Sequence, residues 1–322
     1  MFSIDELEAA QAFVASRMSP TPQYAWPQLE QRFGCKVWVK HENHTPTGSF
    51  KVRGALTFID WLKRTQPDCP GIITATRGNH GQGQSMAATA AGMRAMIYVP
   101  RGNSVEKNAA MRAFGAELVE FGDDFDEARL EVLRVAEAEG LQFVPPFHRE
   151  IVRGVATYAL ELLSAAPGIE TLYVPIGCGS GISGCIAARD ALGHKARIVG
   201  VVSENAQTAR LSVEAGDLVE TNDARTFADG MAVRVPVREA FDIYAKGADR
   251  IITVSDADVA EAIRVYYGDI HNLAEGAGAA PLAGLMNEAE AQRGREVAVI
   301  LCGGNIDRDW FVTVLNGGVP TV

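Results

Sequence analysis

Short apolar runs alternate with stretches of helical spacing from Ile72 to Val144, and this alternation constrains the fold more than any other feature of the chain. The pattern predicts strands at Ile72 to Thr76, Ala95 to Val99, Glu117 to Phe121 and Leu141 to Val144, with helices from about Gly81 to Ala91, Ser104 to Phe114 and Asp123 to Glu139 between them. Strands joined through helices form parallel sheets, so residues 67–145 read as a compact βαβ lobe. The pattern resumes from Glu150 with a helix to about Ala165, strand Leu172 to Ile176, helix Gly181 to Ala191 and strand Ala196 to Val202. Strand Ile251 to Val254, helices Ala257 to Tyr267 and Ala277 to Glu290, and strand Val297 to Leu301 complete a second lobe. Earlier residues supply an amphipathic helix over 5–17, a strand from Lys36 to Glu42 and a helix opening at Lys51. Between Asn205 and Asp249 periodicity is weak except in VREAFDIYA, which predicts a mostly irregular surface excursion. A chain of 322 residues exceeds the usual size of one core. The expected organisation is a large domain of residues 1–66 and 146–322 with a small domain, 67–145, inserted in it. Ligands of such α/β folds sit at the carboxyl ends of the strands, here in the cleft between lobes.

Composition narrows the function. A net charge of −10 argues against nonspecific nucleic-acid or anionic-membrane binding, which require a basic surface. No apolar run approaches the roughly 20 residues that span a bilayer, and the acidic start MFSIDELEAA is unlike a signal peptide. A cytoplasmic enzyme acting on a small molecule is the expectation. The five cysteines are scattered and lack paired metal-ligand spacing, so they read as reduced thiols rather than a metal site.

Four turns carry the chemistry. In TPTGSFKVRGA, Lys51 stands at the first turn of a helix, where unpaired amides and the positive end of the dipole favour a neutral amine able to form a Schiff base. Gly177-Cys178-Gly179-Ser180-Gly181 follows an apolar strand and opens a helix, an arrangement that converges backbone N–H groups on an anion such as phosphate. Gly179, Gly181 and Gly184 also fit a dinucleotide fingerprint with Glu204 as the ribose acid, which keeps a nicotinamide-dependent dehydrogenase open. The turn Thr76-Arg77-Gly78-Asn79-His80-Gly81 offers free amides for a substrate carboxylate, with Asn79 expected to cap the helix. Finally Cys302-Gly303-Gly304-Asn305 ends a buried strand on a thiol.

Together, in this order and over Pro20 to Asp307, these motifs resemble the serine/threonine dehydratase family of fold-type II pyridoxal-phosphate enzymes, which includes serine racemase. The resemblance implies a two-lobed α/β fold of the tryptophan synthase beta type, with each lobe a mostly parallel sheet flanked by helices. It implies that Lys51 carries pyridoxal 5'-phosphate, that Phe50 packs on the ring, and that Asn79 bonds the ring hydroxyl. Gly177 to Gly181 would wrap the phosphate and Cys302 would face the pyridine nitrogen, favouring loss of a β-hydroxyl over transamination. The substrate would be bound by Thr76, Arg77, Gly78, Asn79 and His80, with Glu275 of EGAG and the Phe227 to Gly230 turn bordering the site. The activity implied is a lyase converting L-threonine or L-serine to the 2-oxo acid and ammonia. A bulkier or acidic hydroxy amino acid, of phenylserine or 3-hydroxyaspartate type, is the alternative.

Departures from the family pattern refine these expectations. Ser180 stands where many relatives have glycine, and Cys302 where many have serine. Arg77 occupies the position of the second racemase base, and a permanently charged guanidinium disfavours racemisation. The Ser203 to Ala209 stretch lacks the acid pair of the racemase metal site, so no metal is expected. With 17 residues after Asn305, the regulatory domain of biosynthetic threonine dehydratases is not expected. A homodimer is expected from the resemblance alone.

Overall fold

The apolar runs build two separate sheets in the computed structural model, which describes residues 1–123 and 125–322. In chain order the elements are α1 (Ile4–Ala15), β1 (Gln23–Ala25), α2 (Pro27–Phe33), β2 (Lys36–His41), α3 (Lys51–Thr65), β3 (Gly71–Ala75), α4 (Asn79–Ala90), β4 (Arg94–Val99), α5 (Val105–Ala113), β5 (Glu117–Glu120), α6 (Phe125–Glu139) and β6 (Gln142–Phe143). There follow α7 (Arg149–Ala165), β7 (Thr171–Pro175), α8 (Ser180–Leu192), β8 (Arg197–Ser203), α9 (Thr208–Ala215), α10 (Arg238–Gly247), β9 (Arg250–Val254), α11 (Asp256–Ile270), α12 (Gly276–Asn287), α13 (Ala289–Gln292), β10 (Glu296–Leu301) and α14 (Arg308–Leu315). The smaller sheet, in the order β5-β4-β3-β6, is parallel throughout. The larger runs β1-β2-β10-β7-β8-β9 and is parallel except for the edge pair of β1 with β2. This is the expected two-lobed α/β arrangement. Central strands such as β3 and β10 are buried almost end to end, as continuous Val, Ile and Leu runs demand when helices cover both faces.

Two expectations need correction. Residues 205–249 are not a surface excursion: they contain α9, α10 and a short 3-10 turn at Asp229–Met231, and Phe227, Ala228, Met231, Ala240, Phe241 and Tyr244 are buried. The segment is cut into pieces of ten residues or fewer and buries side chains singly, so it carries little periodic signal. Nor does Asn79 cap α4. Gly78 is the N-cap, no side chain bonds the first amides, and Asn79 is already helical. The sequence reading also passed over β1, α2 and α14.

Helix α3, which opens at Lys51, packs against α4 and α7. Its orientation is fixed by Arg53, a fully buried guanidinium. Arg53 donates to both oxygens of Glu42 (2.8 and 3.0 Å), both oxygens of Glu161 (2.7 and 3.0 Å) and the Thr157 hydroxyl (2.9 Å). Lys40 Nζ completes the group with a bond of 2.6 Å to Glu161. Two cations thus face two carboxylates with their hydrogen-bonding capacity used, the condition under which buried charge is tolerated. Replacing Arg53 with Met leaves Glu42 and Glu161 short of a partner, and we expect a loss of about 3–5 kcal/mol in urea unfolding. A loss below about 1 kcal/mol would show the network to be dispensable.

Candidate active site

The loop before Lys51 is shaped by short local bonds. Thr45 Oγ1 accepts from the Ser49 amide (2.9 Å) and donates to the Ser49 carbonyl (2.8 Å), while Gly48 takes the left-handed conformation, φ +68°. Backbone bonds then tie the loop to the turn after β10. The Phe50 amide donates to the Cys302 carbonyl (3.0 Å), Ser49 pairs with Gly303, and the Gly304 amide donates to the Gly48 carbonyl (2.9 Å). Lys51 is half-buried, and its Nζ lies 4.7 Å from the centre of the Phe50 ring. Phe50 itself is buried, edge-on to Tyr158 and close to Gly181. The Lys51 turn and the start of α8 therefore meet.

At the second turn, buried Thr76 accepts the Gly78 amide at its hydroxyl (3.1 Å), and the amides of Asn79, His80 and Gly81 find no acceptor among the described residues. Lys107 lies over Gly78, where a Cβ would come within 2.6 Å of its Cδ. Arg77 is exposed and has no partner among the described residues. Burial and the nearby Lys51 charge push His80 down to about 3, so its ring is neutral, and its Nε2 has no hydrogen-bond partner. Asn79 Nδ2 donates to Glu275 Oε1 at 2.7 Å.

The third turn, after β7, leaves the amides of residues 177–182 without acceptors among the described residues. The buried Ser180 Oγ is also unpartnered. Gly179 has φ +92°, and a Cβ at Gly177 would come within 2.2 Å of the Gly230 carbonyl, so side chains are excluded at both positions. Cys178 is half-buried beside it, and burial raises its thiol pKa against the pull of Lys51. Of the dinucleotide signature, Gly184 packs on the Ala156 backbone and Glu204 is exposed.

Cys302, just after β10, and Glu275, the N-cap of α12, close the site from the larger lobe. Burial pushes the Cys302 thiol well above its ordinary range, with Glu275 adding to the shift and Lys51 opposing it, which keeps the sulfur protonated. Burial likewise pushes the Glu275 carboxyl up to about 7, opposed by Lys107 and Asn79, and its Oε2 has no partner. Lys107 escaped sequence reasoning, and Asn305 was read only as the end of the Cys302 turn. Lys107 on α5, buried, is ion-paired with Asp229 of the turn after β8 and α9. Burial works against its ammonium, but Asp229 and Glu275 outweigh that and hold its pKa up. Asn305 Nδ2 donates to the Thr47 carbonyl (2.8 Å) and to Asn79 Oδ1 (2.8 Å). No local pattern marks Lys107, since burial of a lysine is decided by a partner distant in sequence.

Comparison with known proteins places this geometry. A family model described as pyridoxal-phosphate dependent enzyme matches residues 14–303. The chain is 32% identical over 320 residues to an L-threonine ammonia-lyase of Thermotoga maritima, covering 99% of this chain and 79% of that protein. It is also 32% identical over 299 residues to an L-threo-3-hydroxyaspartate ammonia-lyase of a Pseudomonas species, covering 92% and 93%. The processed form of threonine deaminase isoform 2 from Solanum lycopersicum superposes with a TM-score of 0.90 at 28% identity, covering 98% of this chain and 94% of that one. The dinucleotide reading is left without support.

The residues present fit a phosphorylated pyridine aldehyde. Free amides, an orphaned Ser180 hydroxyl and a helix N-terminus suit a phosphate. A lysine amine beside an aromatic face suits the aldehyde, and a protonated thiol suits an uncharged ring nitrogen. The buried carboxyl makes a prediction in the protein without added ligand. Because the Glu275 pKa rises from 4.5 to about 7 on folding, its contribution to stability is present in full below about 4.5 and is lost as pH rises through about 7. The urea midpoint of Glu275→Gln should fall less between pH 5 and pH 8 than that of the parent; an identical fall in both would refute the assignment.

Proposed function

We propose, because the chain belongs to the pyridoxal-phosphate dependent enzyme family, that it is a dehydratase releasing ammonia and a 2-oxo acid from a β-hydroxy amino acid such as L-threonine or L-serine. The observation that carries the proposal is the gathering around Lys51 of two acceptor-free amide turns and a protonated buried thiol. Pyridoxal phosphate, when bound, supplies an aldehyde for amines and a ring that delocalises the electrons left at Cα when its proton departs.

The chain's own groups do the rest. Lys51 holds the aldehyde at rest, and its freed amine takes the Cα proton. The amides of Asn79, His80 and Gly81 receive the substrate carboxylate at the positive end of α4, and Thr76 holds their turn in shape through its bond to Gly78. Residues 177–181 receive the phosphate, with Ser180 adding a hydroxyl. Cys302 offers the ring nitrogen a neutral partner in place of a carboxylate, which restrains electron withdrawal and directs the reaction to loss of the β-hydroxyl as water. The released enamine hydrolyses to the 2-oxo acid and ammonia.

A second reading rests on Arg77. This unpaired, exposed guanidinium stands two residues before the first of the carboxylate-binding amides, where it suits a substrate bearing a second carboxylate. The relative named L-threo-3-hydroxyaspartate ammonia-lyase gives that reading added weight. Further parts of the proposal are a homodimer in the cytoplasm and a small domain of residues 67–145 inserted in a large one. Among the described residues no helix is long and apolar enough to cross a membrane.

The test has two arms. Purified protein should show a visible absorption band that borohydride removes and Lys51→Ala lacks, with ammonia release in that variant falling at least about a thousandfold. Ammonia release is then compared across L-threonine, L-serine, phenylserine and threo-3-hydroxyaspartate. Preference for the last, abolished in Arg77→Ala, establishes the second reading; release from none of them overturns both.

A further inference from the structure

Asn305 follows β10 and bonds both the loop before Lys51 and the first residue of α4. Its side chain can be oriented from a single fixed point. A backbone carbonyl only accepts hydrogen bonds, so the Thr47 carbonyl, 2.8 Å away, requires the Asn305 NH2 group to face it. The same nitrogen lies 2.8 Å from Asn79 Oδ1, which turns the Asn79 carbonyl toward Asn305. The Asn79 NH2 group then faces Glu275 Oε1 at 2.7 Å. Reversing Asn79 alone would set nitrogen against nitrogen at one end and oxygen against a carboxyl oxygen at the other. Reversing Asn305 would set oxygen against oxygen at Thr47. The far side of Asn305 is also keyed: its Oδ1 rests over Gly48, where a Cβ would lie only 2.4 Å away, and Gly48 holds φ +68°.

The Asn79 amide nitrogen carries two hydrogens. One goes to Glu275, and the second has no acceptor among the described residues. We infer that Asn305 is a positioning residue: anchored on the Thr47 carbonyl four residues before Lys51, it obliges Asn79 to offer an N–H, never a carbonyl, to the group held at Lys51. Asn305 follows β10 of the larger sheet and Thr47 lies in the loop between β2 and α3, whereas Asn79 opens α4 after β3 of the smaller sheet, so polarity set in one lobe is imposed on the other. The inference rests on pyridoxal phosphate being bound at Lys51. There the N–H stabilises negative charge on the ring oxygen, as a donor from a fixed amide does for any developing oxyanion.

The experiment uses the full chain loaded with pyridoxal phosphate. In Asn305→Asp the carboxylate cannot donate to Thr47 and accepts from Asn79 instead, which turns the Asn79 carbonyl toward the ligand. Lys51, His80, Lys107, Asp229, Glu275 and Cys302 are unchanged, so the surrounding charges other than the introduced one are preserved. Cofactor affinity, read by equilibrium dialysis, should weaken at least about tenfold, the size of one lost hydrogen bond to a charged group. The visible band should lose intensity to a band at shorter wavelength, because the proton moves to a ring oxygen that has lost its donor. Asn79→Asp, which replaces the N–H directly, should give the same spectral change. Should Asn305→Asp melt more than about 10 °C below the parent, Asn305→Ala removes the donor without adding charge. We expect it to show the same band shift with a loss of affinity of about fivefold. Parental affinity and spectrum in a folded Asn305 variant overturn the inference, most clearly if Asn79→Asp is impaired. Absence of a visible band in the parent itself would instead overturn the cofactor reading.

Discussion

The loop that carries Lys51 is held by backbone hydrogen bonds to a turn near the other end of the chain, and the site depends on that join. The amide and carbonyl groups of residues 48–50 meet those of residues 302–304, so Lys51 takes its direction from β10, a strand buried along nearly its whole length. Bonds of this kind ask little of side chains except that some be missing. A Cβ at Gly303 would press within 2.5 Å of Glu275, and one at Gly278 within 2.3 Å of the Gly303 carbonyl. On the other side Arg53 locks the helix that begins at Lys51 to Glu42 and Glu161. The amine is thus fixed from before and behind, which is how a flexible four-carbon side chain is made to serve one point in a cleft.

Much of this was legible in the sequence because it is written locally. A strand that runs into glycines and then into a helix tends to leave free amides, and the two such turns, after β3 and after β7, stand where the spacing put them. Lys51, Phe50, Asn79, Glu275, Cys302 and the 177–181 turn do converge. What resisted reading was partner choice across the chain. Asn79 sits where a helix cap is common, yet its amide reaches Glu275 and leaves the helix start uncapped. Lys107 looks like a surface residue of a short amphipathic helix until Asp229 arrives from the other lobe. Residues 205–249 misled for the opposite reason: their buried side chains are contributed one at a time from short pieces, so no period builds up.

Electrostatically the cleft is kept close to neutral by two means. Some groups give up their charge: burial holds His80 deprotonated, Cys302 as a thiol, and Glu275 with a pKa near neutrality. Another, Lys107, is matched by Asp229. In such surroundings the directed dipoles of the free amide turns act with little competition from fixed side-chain charge, and an anionic ligand is located by backbone geometry. Arg77 stands apart, charged and unpaired at the rim.

The polar links between the lobes serve direction more than adhesion. Asn79 meets Glu275 and Asn305; Lys107 meets Asp229; Ser104 Oγ donates to Asp307 Oδ1 at 2.5 Å; and the Arg308 amide reaches Glu106. Each joins the smaller sheet's elements to the larger's through a hydrogen bond or ion pair rather than through interdigitated apolar side chains. Contacts of that kind are exchangeable with water at modest net cost, whereas apolar surface pulled apart is not. The boundary is not polar throughout, since α3 packs on α4 and Ile72, Ala87, Ala88, Met93, Ala95 and Val144 share one apolar cluster with the larger lobe, so apolar packing holds the lobes together while the polar links fix how Asn79 and Lys107 are oriented across them.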